Sequence, residues 1–145
     1  MRRLQRRPGR RAGQRPAQPR RHHHLRQLRA RALHRAQLTD GHRLGISIHV
    51  DGGSRGNPGP AGAGVVIRDD DGRLLHESAW FLGHQTNNAA EYLALLRALE
   101  RAARLGPHPL TIHSDSELLV RQLTGQYQVR NPKLAQLYEQ AQLLL

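Results

Sequence analysis

Ile46-Ser-Ile-His-Val-Asp51-Gly-Gly-Ser-Arg-Gly-Asn-Pro-Gly-Pro-Ala-Gly62 opens the part of this sequence that can fold. Ile46, Ile48 and Val50 alternate with Ser47 and His49, the two-residue period of a strand with one buried face. The stretch from Gly52 to Gly64 is so rich in Gly and Pro that it reads as a turn. A carboxylate at a strand end, followed by such a turn, is poised to hold a divalent cation beside a phosphate.

The rest of the pattern extends outward from there. Residues 62–68 read as a second strand, Asp69-Asp-Asp-Gly72 as a hairpin turn with an Asp-Gly signal, and residues 73–82 as a third strand. Thr86-Asn87-Asn88 supply a helix N-cap. Tyr92, Leu95, Leu96, Leu99, Ala102 and Ala103 then recur at helical spacing, with Arg97, Glu100, Arg101 and Arg104 opposite. Gly106-Pro107 ends that helix. Residues 110–114 form a short apolar strand, and Asp115 or Ser114 is the expected cap of a helix over 117–123. Gly125 closes it, and Asn131-Pro132 starts a last helix with Leu134, Leu137, Tyr138 and Ala141 on one stripe. The order β-β-β-α-β-α-α predicts an α/β domain, a mixed sheet flanked by helices.

Charge divides the 145 residues in two. Residues 1–44 carry 14 Arg against one acid, Asp40, a net +13; residues 45–145 carry 9 Lys+Arg against 10 Asp+Glu, a net −1. The first segment has almost no β-branched or aromatic residues, and its Arg, Pro, Gln and His cannot bury enough apolar surface to offset chain entropy. It reads as a basic tail without fixed structure, with a short helix allowed near residues 25–38. Two roles stand open for it: an arm that binds nucleic-acid phosphates, or an extension arising from a mis-set start. His22-His23-His24 is a weak metal motif at most. The absence of cysteine excludes disulfides and thiolate chemistry. No run of eighteen apolar residues predicts a membrane span, and no apolar signal core follows the basic start, so a cytoplasmic protein is expected.

Three acids remain: Asp51 and Asp115 at the ends of neighbouring strands, and Glu91 early in the long helix, beside the buried stripe. Each alone has an ordinary explanation as a turn residue, a helix-dipole acid or a cap. Together they would repel one another, and a cation removes that penalty; all-oxygen ligands favour Mg2+ or Mn2+ over zinc or copper.

Four strings, in order, carry a family resemblance: Asp51-Gly-Gly-Ser-Arg-Gly-Asn-Pro-Gly-Pro-Ala-Gly62, Thr86-Asn-Asn-Ala-Ala-Glu-Tyr92, His113-Ser-Asp-Ser-Glu117 and Tyr127-Gln-Val-Arg-Asn-Pro132. From about Ile46 onward the chain resembles a type 1 ribonuclease H of the bacterial and archaeal branch. The resemblance implies a ribonuclease H-like domain over 45–145, with three antiparallel strands and then a parallel one. It implies two-metal hydrolysis of the RNA strand of RNA-DNA hybrids by a monomer. Asp51, Glu91 and Asp115 match metal-binding carboxylates, for two Mg2+ ions (Mn2+ as a substitute), with the Gly52 carbonyl near one of them. Ser54 and Asn57 match first-turn positions that meet nucleic acid, Asn87 and Asn88 minor-groove contacts, and Thr86 a phosphate contact. Glu117 stands where many relatives carry a Gln that touches RNA.

The resemblance also sets expectations about what is missing. A basic, Trp-containing protrusion of some bacterial relatives has no counterpart in residues 124–131. Relatives continue into a further strand, a loop often bearing His, and a helix with a fourth carboxylate; the sequence ends at Leu145, so a domain lacking these is expected. Two function classes follow, a hybrid-specific nuclease or a hybrid-binding module that cleaves weakly. A phosphate-loop protein is disfavoured, because no Lys-Ser/Thr and no helix follow the glycines. A purely electrostatic nucleic-acid binder would explain the tail but not the acids.

Overall fold

A computed structural model describes the backbone of residues 26–30 and, in full, residues 45–106 and 108–145. Among these residues the sheet has five strands: β1 (Arg26–Ala30), β2 (Ile46–Ser54), β3 (Gly59–Asp69), β4 (Leu74–Gln85) and β5 (Leu110–Ser114). The order across the sheet is β1-β5-β2-β3-β4. β2, β3 and β4 form the expected antiparallel meander, and β5 runs parallel to β2. The helices are α1 (Asn87–Arg104), α2 (Glu117–Leu123) and α3 (Pro132–Leu144).

Alternation decides which face of each strand is buried. Ile46, Ile48 and Val50 on β2, Ala63, Val65 and Ile67 on β3, and Ile112 on β5 form one apolar face. Tyr92, Leu95 and Leu99 of α1 cover it, and Leu134, Leu137 and Ala141 of α3 pack against α1. Each fully buried large aliphatic side chain contributes about 1.5–3 kcal/mol. Ala89, Ala90, Ala94, Ala98 and Ala102 are all buried along α1, and their small side chains let the helix lie close to the sheet.

Three local expectations change. The predicted turn over 52–64 is mostly strand: β2 continues through Ser54, β3 begins at Gly59, and only residues 55–58 turn. Ladder hydrogen bonds need only backbone, and at Gly52 the missing side chain is itself required. A Cβ there would lie 2.3 Å from the Ala90 carbonyl oxygen of α1. The cap of α2 is Ser116, whose hydroxyl accepts from the Leu119 N–H at 3.2 Å, not Ser114 or Asp115. The Ser114 hydroxyl instead accepts from the Ser116 N–H at 3.1 Å.

The third change concerns the tail. Residues 26–30, expected at most as part of a short helix, are an antiparallel strand paired with β5, from Arg26 opposite Ser114 to Ala30 opposite Leu110. The outer edge of β5 offers unpaired N–H and C=O groups, and pairing there outweighs a weak local helix preference. These five residues are the part of the basic segment that joins the sheet; its remainder, including His22-His23-His24, lies outside the described residues.

The close approach at Gly52 generates a stability test. Gly52→Ala is expected to cost about 3 kcal/mol, because the clash is with backbone that cannot rotate away. Gly64→Ala, where nothing lies within 4 Å of the added Cβ, is expected to leave stability unchanged or raise it by under about 1 kcal/mol. Urea midpoints measure both, and equal midpoints would refute the packing argument.

Candidate metal centre and nucleic-acid rim

Asp51 lies on β2 beside the parallel strand β5, and Asp115 follows β5 directly. Glu91 sits one turn into α1, whose first residues pass over Gly52. These placements bring one carboxylate oxygen from each of Asp51, Glu91 and Asp115 within 4.8 Å of one another. Because Ser116 caps α2, the Asp115 carboxylate is not spent on the helix.

The electrostatics are adverse without a cation. Glu91 is only 8% exposed, and its buried Oε2 accepts no hydrogen bond. Burial above all, then the neighbouring Asp115 and Asp51 charges, pushes its pKa up to about 8, against a smaller lowering by the Gly52 N–H. Asp51 is raised for the same reasons, burial first and then Asp115, and the Gly52 N–H again opposes the shift. A divalent cation among the three oxygens would supply the missing partner of Oε2 and reverse both shifts. The donor set is carboxylate oxygen throughout, which suits a hard cation. The residues present therefore fit a metal.

Beside the acids, a polar rim is built from the first turn and the start of α1. The Asn87 Oδ1 accepts from the Ser54 N–H at 2.8 Å and from its hydroxyl at 2.9 Å. The Asn57 Oδ1 accepts from the Asn87 N–H at 3.1 Å. Asn87 and Asn88 are exposed, and the bonds on Asn87 occupy its oxygen and backbone, leaving its amide nitrogen to donate to a ligand. Thr86 is the cap of α1, its hydroxyl accepting from the Ala89 N–H at 3.2 Å. Ser54, Asn57 and Asn87 are thus brought together as one network. Glu117 stands apart from the acid cluster and pairs with Arg121 at 2.5 Å.

One feature escaped the sequence reading. His49 and His113 are register partners on β2 and β5 and stack with ring centroids 4.3 Å apart. Burial, then His113 and Arg68, lowers the His49 pKa. The signal was present: each His lies two residues before one of the two Asp residues, His49 before Asp51 and His113 before Asp115, hence on the same face.

Residues 49–145 match a family described as reverse transcriptase-like. A bifunctional protein of Mycobacterium tuberculosis is 46% identical over 100 residues, which are 68% of this chain and 28% of that one. The ribonuclease HI of Halobacterium salinarum is 42% identical over 100 residues, covering 69% of this chain and 50% of the relative. The chain thus spans half or less of the length of these relatives. Among solved structures, LC11-RNase H1 in complex with an RNA/DNA hybrid is 47% identical with a TM-score of 0.66, covering 68% of this chain and 75% of that one. RNase H1 of Halobacterium salinarum is 41% identical with a TM-score of 0.66 and the same coverage.

The raised Glu91 pKa has a sign that can be measured. Its folded value, about 8, exceeds the ordinary 4.5, so between those values the folded protein keeps a proton that the unfolded chain has released. Stability of the metal-free protein is then greatest below about pH 4.5 on this account and falls by on the order of a few kcal/mol as pH rises toward 8. Glu91→Gln should remove most of that slope, and millimolar Mg2+ should restore stability at pH 8 by binding the folded state alone. Urea titrations across pH measure this; a slope identical in Glu91→Gln would refute it.

Proposed function

The chain belongs to the type 1 ribonuclease H family, and on that premise we propose that it hydrolyses the RNA strand of RNA-DNA hybrids with divalent metal. The observation that carries this reading is the convergence of Asp51, Glu91 and Asp115 within 4.8 Å, with the orphaned Glu91 Oε2 among them. These three would hold two Mg2+ ions, or Mn2+, with the Gly52 carbonyl as a further oxygen ligand. Bound there, the metals would lower the pKa of the attacking water and stabilise the leaving 3′-oxygen.

The protein's own groups have separate tasks. The Gly52 N–H steadies the ionised forms of Asp51 and Glu91. Ser54, Asn57, Asn87 and Asn88 form a rim of short polar side chains that can both donate and accept, which suits 2′-hydroxyls displayed in a wide, shallow minor groove. Thr86 would meet a phosphate at the start of α1, where backbone N–H groups favour an anion. Glu117, held by Arg121, is a poorer RNA contact than an amide, since it can only accept. The expected setting is a cytoplasmic monomer, and no helix among the described residues is long and apolar enough to cross a membrane.

A second reading, a hybrid-binding module with little turnover, is favoured by one observation. Among the described residues the acid cluster holds three carboxylates, and no fourth acid joins them. A cleavage assay separates the two readings. RNA-strand cleavage in a hybrid, dependent on Mg2+ or Mn2+ and reduced at least about a hundred-fold by Asp51→Asn, is expected for the nuclease. Tight hybrid binding without cleavage would establish the module, and cleavage that persists in Asp51→Asn would overturn the metal site.

The basic segment is proposed to strengthen binding through counterion release. Deleting residues 1–24 removes nine arginines while keeping β1. The expected result is weaker hybrid binding with a shallower dependence on salt; an unchanged salt slope would reject the arm.

A further inference from the structure

A second feature lies on the same sheet face as Asp51, one row further along. Asp51 pairs with Gly64, which pairs with Ala79; two residues on, Gly53 pairs with Gly62, which pairs with Phe81. Register partners project from the same face, so Asp51 and Phe81 look the same way. Strand spacing and rise set their α-carbons about 12 Å apart, roughly three to four nucleotide rises of a duplex strand. The positions between them are Gly53, Gly62, Gly64 and Ala79, leaving a nearly bare floor.

Phe81 is 79% exposed, and a lone exposed aromatic would need no explanation. This one borders a cavity of about 640 Å³ whose wall also includes Ser54, Arg55, Pro60, Gly62 and Trp80. A register shift between Ala61 and Gly62 marks a bulge in the β3–β4 pairing there, the device that re-aims side chains beside functional sites. Arg55 is exposed and has no carboxylate partner among the described residues. Ser54 ties the cavity to the polar rim through Asn87. An exposed aromatic ring and a free guanidinium, continuous with the acid cluster, are the elements of a nucleotide subsite; the Trp80 ring turns to the other face and packs against the core.

We propose that this cavity binds one nucleotide of a hybrid strand a few steps from the cleaved phosphate. The apolar face of its base or sugar lies on Phe81, and its phosphate on Arg55. The subsite rests on the ribonuclease H reading and would supply affinity that the first turn alone does not.

The full chain in EDTA, where the hybrid stays intact, is titrated into a short fluorescently labelled RNA-DNA hybrid, and binding is read as anisotropy. Phe81→Ala should weaken binding about ten-fold, with an unchanged urea midpoint showing that the fold is intact. Phe81→Tyr should bind as the parent does, and Arg55→Ala should lower the salt slope by about one. Equal affinity in the parent and Phe81→Ala, or a hybrid bound by neither, would overturn the subsite, while the nuclease reading is decided separately by the metal-dependent cleavage assay.

Discussion

Everything functional here depends on how closely the start of α1 can approach β2. At Gly52 the two backbones nearly touch, and a Cβ would lie 2.3 Å from the Ala90 oxygen. That contact seats Glu91 over the strand that carries Asp51. It also turns one backbone N–H, that of Gly52, toward both acids. A single side chain at this position would separate helix from strand and take the third carboxylate out of range. The run of buried alanines along α1 continues the same close packing away from the site.

The approach sets up a conflict between folding and function. Three acids within 4.8 Å, one of them buried, make a poor contribution to the stability of the metal-free fold. The apolar core on the other face of the sheet has to offset it. Sites of this kind are stable enough only because a well-packed scaffold over-determines them. The division of labour follows the pleat: Ile46, Ile48 and Val50 point into the core, while His49 and Asp51, at alternate positions, face the site.

Much of this was legible in the sequence. The period-two run before Asp51 and the helical stripe from Tyr92 to Leu99 fixed the elements, because burial imposes those periods. The three acids were legible because strand ends and first helical turns converge in such a sheet. What escaped depends on tertiary neighbours. The strand character of Gly52 and Gly53 comes from the ladder with Ala63 and Gly62, and propensity points the other way. Ser116 displaced Ser114 and Asp115 as a cap by a difference of one or two residues, below what spacing resolves. The strand at Arg26–Ala30 exists by virtue of a vacant edge on β5, and nothing within those five residues announces it. Phe81 reads as an ordinary strand residue until the register places it beside bare glycines.

The pairing of β1 with β5 has a kinetic side. Its register partners lie 80 to 88 positions apart, from Ala30–Leu110 to Arg26–Ser114, whereas the β2–β3–β4 meander is built from near neighbours. Loop closure over that distance must be completed before any ladder bond forms, and non-local strand pairing slows folding. During synthesis β1 leaves the ribosome first and its partner more than half a chain later. The edge of the sheet is therefore the last part of the fold to close, and until it does β5 stands open to any other extended segment.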